Sequence, residues 1–135
     1  MRLLIDTNIL ISAALFPDSV PAQAFTKAVS PPHETLVCDY SLDEMRRVFN
    51  RKFSHRLGDF ERFISSLTLA VEIILTPDQE ENVKGESAIR DINDRPILRA
   101  AVNAKVDVII TGDKDFLESG IVKPKSLTAA EFLKA

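Results

Sequence analysis

Two short apolar runs in this chain each end in a carboxylate. Residues 3–5 lead directly into Asp6, and residues 108–110 lead through a short turn into Asp113. Each run is typical of a buried strand, and in parallel α/β sheets the ligand site lies just outside the carboxyl ends of the strands. Carboxylates that meet there repel each other unless a proton or a metal cation neutralises them. The sequence therefore favours a divalent-metal site and metal-assisted chemistry.

Asp6 is favoured as a functional residue because the first predicted helix has other residues that can cap it. Thr7 and Asn8 follow Asp6 directly, and both are suitable N-caps. A carboxylate at the end of a buried strand is costly without a partner. We therefore expect Asp6 to bind a ligand rather than to serve only as a cap.

The second run ends in more polar groups than a turn requires. Gly112 and one aspartate would suffice for the turn, yet the chain also supplies the hydroxyl of Thr111 and a second acid. Asp113 comes first after the strand and is the better candidate ligand, with Asp115 as the second choice. Lys114 lies between the two acids, where it would temper their repulsion or meet a phosphate.

Two further acids lie at predicted helix starts. Ser41 and Glu44 have the spacing of a capping box, which would explain Glu44 without any chemistry. Asp94 is likewise a natural N-cap, and Asp91 is interpreted as a solvated loop charge. Oxygen ligands without His or Cys partners suit Mg²⁺ or Mn²⁺ rather than zinc. Because helix starts and strand ends share one edge of a parallel sheet, we expect four acids to meet there: Asp6, Glu44, Asp94 and Asp113.

Strands and helices are predicted to alternate along the chain. Strands are expected over residues 2–6, 35–38, 71–75 and 106–110, with a short last strand over 121–123. Helices are expected over residues 8–15, 20–29, 41–52 and 94–104, with a fourth helix capped by Asp59 and a C-terminal helix opened by Thr128. This order predicts a three-layer α/β/α fold with a central parallel sheet of four to five strands. The polar stretch 76–93 is longer than an ordinary loop.

Composition sets broad limits on the protein. A length of 135 residues, of which 45% are hydrophobic, fits a single domain over residues 1–135 with a real core. The net charge of −3 is a weak argument against a large surface that binds the backbone of a nucleic acid, but it is compatible with a local basic patch. Cys38 is the only cysteine, so no internal disulfide is expected. With no apolar run of about 18 residues and no signal peptide, we expect a cytoplasmic protein that does not enter a membrane.

Several segments together resemble the PIN-domain family, ribonucleases that include the toxins of VapC-type toxin–antitoxin pairs. The matching segments are residues 4–10, the helix start at 41–44, residues 91–98 and residues 108–116. They cover nearly the whole chain in the order and spacing of the family. The similarity is greatest to the subgroup described as toxin components of the PIN type.

The resemblance implies a set of site residues. Thr7 or Asn8 would support the site by hydrogen bonding, and Thr111 is counted with them as a supporting group. Asp115 and Asp91 match acids that occur in many relatives but are less central. The four acids implied to bind one or two Mg²⁺ or Mn²⁺ ions are Asp6, Glu44, Asp94 and Asp113.

The resemblance also implies an activity and partners. Members of the family cleave single-stranded RNA and leave a 5′-phosphate, so RNA is the expected substrate. A bound metal would activate a water molecule for attack on the phosphate. A toxin of this type would be held by a cognate antitoxin that covers the acidic cleft, and homodimers are common in the family.

RNA binding requires positive charge near the acids. Arg47 and Arg51 follow Glu44 by three and seven positions, so they share its helix face. Arg95 and Lys114 lie beside proposed ligands and are also candidates. An ordinary solvated helix face explains the two helical arginines equally well.

Other functions remain open at this stage. A phosphatase of the haloacid-dehalogenase type needs a second aspartate two residues after the first, whereas Asp6 is followed by Thr7 and Asn8. The four glycines do not cluster, so there is no phosphate-binding glycine loop. The remaining alternatives are a non-catalytic module that binds nucleic acid or protein, in which the acids only cap helices, and an RNA-processing nuclease without an antitoxin.

Overall fold

A computed structural model describes residues 1–78 and 86–135 of the protein. The strands are β1 (Arg2–Ile5), β2 (Glu34–Cys38), β3 (Glu72–Ile74), β4 (Val108–Ile110) and β5 (Lys125–Leu127). The α-helices are α1 (Thr7–Leu15), α2 (Val20–Ala28), α3 (Asp39–Lys52), α4 (Leu57–Ala70), α5 (Arg95–Asn103), α6 (Lys114–Leu117) and α7 (Ala129–Lys134). Short 3₁₀ turns occupy Ser54–Arg56, Glu86–Ala88 and Ile92–Asp94. No helix in these two ranges is long and apolar enough to cross a membrane.

The five strands form one parallel sheet in the order β3-β2-β1-β4-β5. Strand β1 lies at its centre, and Leu3, Leu4 and Ile5 are fully buried, as a strand covered on both faces requires. Leu3 and Ile5 belong to one apolar cluster and Leu4 to another. The two clusters lie on opposite faces of the sheet, which confirms the predicted three-layer α/β/α fold.

The register of the central strands brings the two apolar runs side by side. Leu4 lies opposite Ile109 and Ile5 opposite Ile110, and the backbone N–H of Asp6 donates to the carbonyl of Ile110 over 2.9 Å. From β1 the chain moves outward to β2 and later returns to β4 on the other side. The carboxyl ends of β1 and β4 therefore form the switch point of the sheet, where open α/β folds bind ligands.

The last strand lies later in the chain than predicted. Strand β5 spans Lys125–Leu127, whereas the sequence suggested residues 121–123. Pro124 separates the two segments and has no N–H for a sheet hydrogen bond. The backbone N–H of Lys125 donates to the carbonyl of Asp107 and so begins the pairing with β4. Thr128 opens α7 as predicted, and it forms a capping box with Glu131.

Two helices begin before their predicted caps. Helix α3 begins at Asp39 without a side-chain cap, so the prediction that Ser41 caps it is wrong. Helix α4 begins at Leu57, which places Asp59 in the first turn rather than at the cap. Part of the polar stretch 76–93, residues 79–85, lies outside the described residues.

Candidate metal centre

Asp6 lies at the end of β1 with its carboxylate buried. One oxygen, Oδ1, accepts the backbone N–H of Thr7 over 2.7 Å, and Oδ2 accepts the hydroxyl of Thr111, also over 2.7 Å. Asp6 is the N-cap residue of α1. The prediction that Thr7 or Asn8 would cap this helix in its place is therefore wrong. Asn8 is exposed, while Thr7 is buried and donates its hydroxyl to Ser41 over 2.9 Å.

The hydroxyl of Thr111 links Asp6 to Asp113. Thr111 is fully buried, and while it donates to Asp6 its oxygen accepts the backbone N–H of Asp113 over 3.0 Å. Asp113 in turn caps α6 by accepting the N–H of Asp115 over 2.9 Å. One hydroxyl group therefore fixes the spacing of two acids that come from neighbouring strands.

Asp94 turns toward Asp113 rather than toward its own helix. It occupies the N-cap position of α5 but makes no side-chain cap hydrogen bond, so the predicted capping role is wrong. Burial, a hydrogen bond with Asp113 and the charges of Asp113, Asp6 and Asp91 raise the pKa of Asp94 to about 8. This raised pKa favours the protonated form of the Asp94 carboxyl group at neutral pH.

The carboxyl group of Asp6 shows how close the predicted acids lie. Burial raises its pKa to about 6, against the opposing effect of its hydrogen bonds to Thr111 and Thr7. The charges of Asp113 and Glu44 add to the rise. The charges of Asp113 and Glu44 therefore reach Asp6, and whether all four predicted acids bind one metal ion stays a prediction.

Two more carboxylates belong to this edge of the sheet. Oxygens of Asp91, Asp94 and Asp115 all lie within 4.8 Å of one another, a spacing that could hold a metal ion. Asp91 is exposed as predicted, but it also caps the turn before α5 by accepting the N–H of Asn93. Its spacing of three residues from Asp94 was the signal that could have placed it in the site. Arg90 pairs with Asp115 over 3.0 Å.

The donor set suits a hard divalent cation. In the described part of the chain the groups that gather here are carboxylates, and Mg²⁺ and Mn²⁺ prefer oxygen ligands. Cys38 is buried at the end of β2, where its sulfur contacts the hydroxyl of Ser41 and burial raises the pKa of its thiol. These surroundings are those of a structural rather than a reactive cysteine.

Glu44 opens onto a separate small cavity beside the acids. Because α3 begins at Asp39, Glu44 lies in the second turn and is not part of a capping box. The cavity has a volume of about 210 Å³. Arg47 and Arg51 line it together with Glu44, as the shared helix face predicted. Sequence reasoning did not select Tyr40, a further wall residue, whose hydroxyl donates to the carbonyl of Asn93.

The other two predicted basic residues differ in their surroundings. Arg95 is half-buried, and its Nε donates to the carbonyl of Ile89 over 2.9 Å, which ties α5 to the preceding segment. Lys114 is exposed at the start of α6, next to Asp113. Lys114 therefore has the freer side chain of the two, and the role of both residues in RNA binding stays a prediction.

Comparison with known families decides the class of this protein. A sequence model described as the PIN domain matches residues 2–115. The chain belongs to the PIN-domain family. This PIN domain is also similar to the uncharacterized protein MJ1680 of Methanocaldococcus jannaschii, with 28% identity over 124 residues that cover 87% of this chain and 74% of that protein.

Solved structures share the fold of this PIN domain. It superposes on a chain of VapBC2 from Rickettsia felis, a complex bound to a DNA fragment from its promoter, with a TM-score of 0.69 and 14% identity, covering 95% of this chain and 98% of that one. It also superposes on VapC20 of Mycobacterium tuberculosis, described as a toxin that cleaves the sarcin–ricin loop. That match has a TM-score of 0.64 and 15% identity, covering 88% of this chain and 95% of that one.

Proposed function

We propose that this PIN domain is a Mg²⁺- or Mn²⁺-dependent endoribonuclease that cleaves single-stranded RNA. The observation that carries the proposal is the convergence of Asp6, Asp94 and Asp113 at the switch point of the sheet. Their burial and mutual repulsion raise the pKa of Asp94 to about 8. A site that cannot ionise fully by itself at neutral pH is suited to a doubly charged cation.

The chain's own residues have distinct parts in this proposal. Asp6, Asp94 and Asp113 hold the metal, which when bound supplies an activated water and offsets charge on the phosphate. Thr111 keeps Asp6 and Asp113 at a fixed spacing through its two hydrogen bonds. Glu44 either joins the ligands or orients the attacking water.

Supporting and substrate-binding residues complete the proposed site. Thr7 orients Asp6 through its backbone N–H, with Asn8 and Asp115 as further supporting groups. The phosphate backbone of RNA requires positive charge, since counterion release provides much of its affinity for proteins. The side chains proposed to bind the RNA are those of Arg47, Arg51, Arg95 and Lys114.

We further propose that the protein is the toxin of a toxin–antitoxin pair, that residues 1–135 act as one nuclease domain, and that it works in the cytoplasm as a homodimer. The structural similarity to VapBC2 and VapC20 supports the toxin role. Expression of the chain alone should arrest growth, and co-expression of a small protein from an adjoining reading frame should relieve the arrest. Growth without arrest, in cells whose extract shows active enzyme, would favour an RNA-processing nuclease without an antitoxin.

The direct test of the activity is cleavage of a mixed single-stranded RNA by the purified protein. We expect cleavage with Mn²⁺ or Mg²⁺, none with EDTA, and none from Asp6→Asn protein. Asp43→Asn is the matched control, because Asp43 is exposed on the same helix as Glu44 but outside the acid cluster. If no metal supports cleavage and no metal raises the melting temperature of the wild-type protein, the acids do not bind a catalytic metal and the protein is a binding module.

A further inference from the structure

The charge and the position of the cavity beside Glu44 indicate which group of the RNA it would bind. We propose that it is a subsite for a phosphodiester group of the RNA next to the one that is cleaved, and that Arg47 and Arg51 hold this phosphate. The inference rests on the proposed ribonuclease function and specifies how the strand is held.

The arginines of the protein divide into two groups by their partners. Arg47 and Arg51 make no ion pair or hydrogen bond with any residue in ranges 1–78 and 86–135, and both are exposed on the wall of one cavity. The other seven arginines in the sequence form an ion pair with a carboxylate or donate to a backbone carbonyl: Arg2, Arg46, Arg56, Arg62, Arg90, Arg95 and Arg99. The two arginines whose donors are not engaged within these ranges therefore lie together.

The chemistry of the cavity suits an anion of the size of a phosphate. Its volume is about 210 Å³, and two guanidinium groups face a single carboxylate, that of Glu44. Arg47 and Arg51 are four residues apart in α3, so their side chains project from the same face of the helix. Guanidinium groups present paired N–H donors that match the oxygens of a phosphate.

The position of the cavity connects it to the acid cluster. Glu44 lines the cavity from α3, and the start of this helix is joined to the end of β1 because the hydroxyl of Thr7 donates to that of Ser41 over 2.9 Å. Tyr40 and Asn93 also line the cavity, and the Tyr40 hydroxyl donates to the carbonyl of Asn93, the residue before Asp94. A strand whose phosphate lies over the acids would therefore place a neighbouring phosphate at the two arginines.

The subsite can be tested by binding, separately from cleavage. A short fluorescent single-stranded RNA is titrated with the protein in EDTA, where the proposed cleavage cannot proceed. The variants are Arg47→Gln and Arg51→Gln, which keep most of the side-chain stem. Arg46→Gln is the matched control, because Arg46 is on the same helix but pairs with Glu61 and packs over Phe60. Melting temperatures verify that each variant is folded.

We expect each subsite variant to weaken RNA binding about tenfold, in line with the loss of a charge-assisted hydrogen bond. The slope of log affinity against log salt concentration should become shallower by about 0.7 for each lost contact with a single strand. Arg46→Gln should leave both quantities unchanged. Equal weakening in Arg46→Gln and in the subsite variants would overturn the proposal, since it would indicate only a general effect of positive charge.

A set of RNAs that each carry one neutral methylphosphonate linkage identifies the phosphate. Wild-type protein should lose affinity when the neutral linkage falls at one position beside the mapped cleavage site. The double variant Arg47→Gln/Arg51→Gln should be insensitive at that position. If the double variant keeps the wild-type pattern, the subsite is wrong even when metal-dependent cleavage is present. A neutral linkage at one position could also weaken binding by the wild type but not by the double variant while no metal supports cleavage. The cavity would then be an RNA-binding site, and the nuclease proposal would be wrong.

Discussion

The charged side chains at the two edges of the central sheet differ in their partners. At the amino ends of the strands, the carboxylate of Asp107 accepts the backbone N–H of Arg2 over 2.8 Å. The guanidinium of Arg2 donates to the carbonyl of Ala104 and pairs with Glu34 over 2.9 Å. Each charged group in this set has a partner that can satisfy it.

At the carboxyl ends, acids face one another instead. Burial and neighbouring carboxylates raise the pKa of Asp6 to about 6 and that of Asp94 to about 8. Arg90 pairs with Asp115 at the margin of the cluster. Paired charges therefore stabilise the amino edge, whereas the mutual repulsion of the acids costs stability at the carboxyl edge, where we propose that a cation binds.

The sharpest contrast is the removal of one charge from each edge. Asp113→Asn should lower RNA cleavage by at least about 100-fold, the scale of losing one group that stabilises charge in the transition state. Asp107→Asn should leave the rate unchanged, because that carboxylate only accepts a backbone N–H on the far side of the sheet. Initial rates on one RNA substrate measure both. Comparable losses in the two variants would show that the edges do not differ in function.

Substitution of two buried threonines, Thr111 and Thr35, separates an effect on stability from an effect on cleavage. Thr111→Val removes the hydrogen bonds that its hydroxyl makes with the N–H of Asp113 and with Oδ2 of Asp6, which should destabilise the protein by about 1–3 kcal/mol. Thr35→Val at the start of β2 removes a hydroxyl that donates to the carbonyl of Ala28 and should destabilise by a similar amount. Urea unfolding checks stability, and only Thr111→Val should also slow cleavage at temperatures where both variants are folded.

The raised pKa of Asp94 predicts how the metal-free protein responds to pH. Between pH 4 and about 8 the folded Asp94 keeps a proton that the unfolded chain has lost, so stability falls as the pH rises through this window. Asp94→Asn removes that dependence. In EDTA the variant should melt above the wild type at pH 8 and close to it at pH 4. A variant with the larger advantage at pH 4 would contradict the assigned repulsion.

The smallest effect is expected at the amino edge. Glu34→Gln removes an exposed ion pair with Arg2, and such pairs contribute about 1 kcal/mol or less. The melting temperature should fall slightly at low salt and hardly at all at high salt, where exposed charges are screened. Cleavage should be unaffected. A large loss of stability would show that this edge depends on one pair rather than on several small ones.

The sequence was sufficient for the centre of the sheet and for the positions of Asp6 and Asp113 at its carboxyl edge, but not for Asp91, which lies close to Asp94 and Asp115. Residues 3–5 and 108–110 are apolar on both faces, because helices cover both sides of these strands, and such runs are readable without a structure. Asp6 and Asp113 follow them directly, so their meeting is a consequence of parallel-sheet geometry. Strand β5 was misplaced because it lies at the edge of the sheet and buries only one residue well, Leu127, so its hydrophobic signal is weak.

Helix starts were harder to predict where tertiary contacts compete with capping. Ser41 has a capping spacing, but its hydroxyl is buried against Thr7 and Cys38, partners that lie elsewhere in the chain or on the preceding strand. The side chain of Asp94 likewise forms a hydrogen bond with Asp113 rather than with the backbone of its own helix. Local spacing cannot indicate either choice, since both depend on which strands become neighbours in the sheet.

The proposed binding of a divalent cation by Asp6, Asp94 and Asp113 can be measured directly. Titration of Mn²⁺ into wild-type and Asp6→Asn protein at pH 7, in two buffers of different ionisation enthalpy, measures binding and proton release together. We expect saturable binding to the wild type with release of about one proton, since Asp94 must ionise to bind the metal, and much weaker binding to the variant. Equal binding by both proteins, or no binding by the wild type, would contradict the proposal.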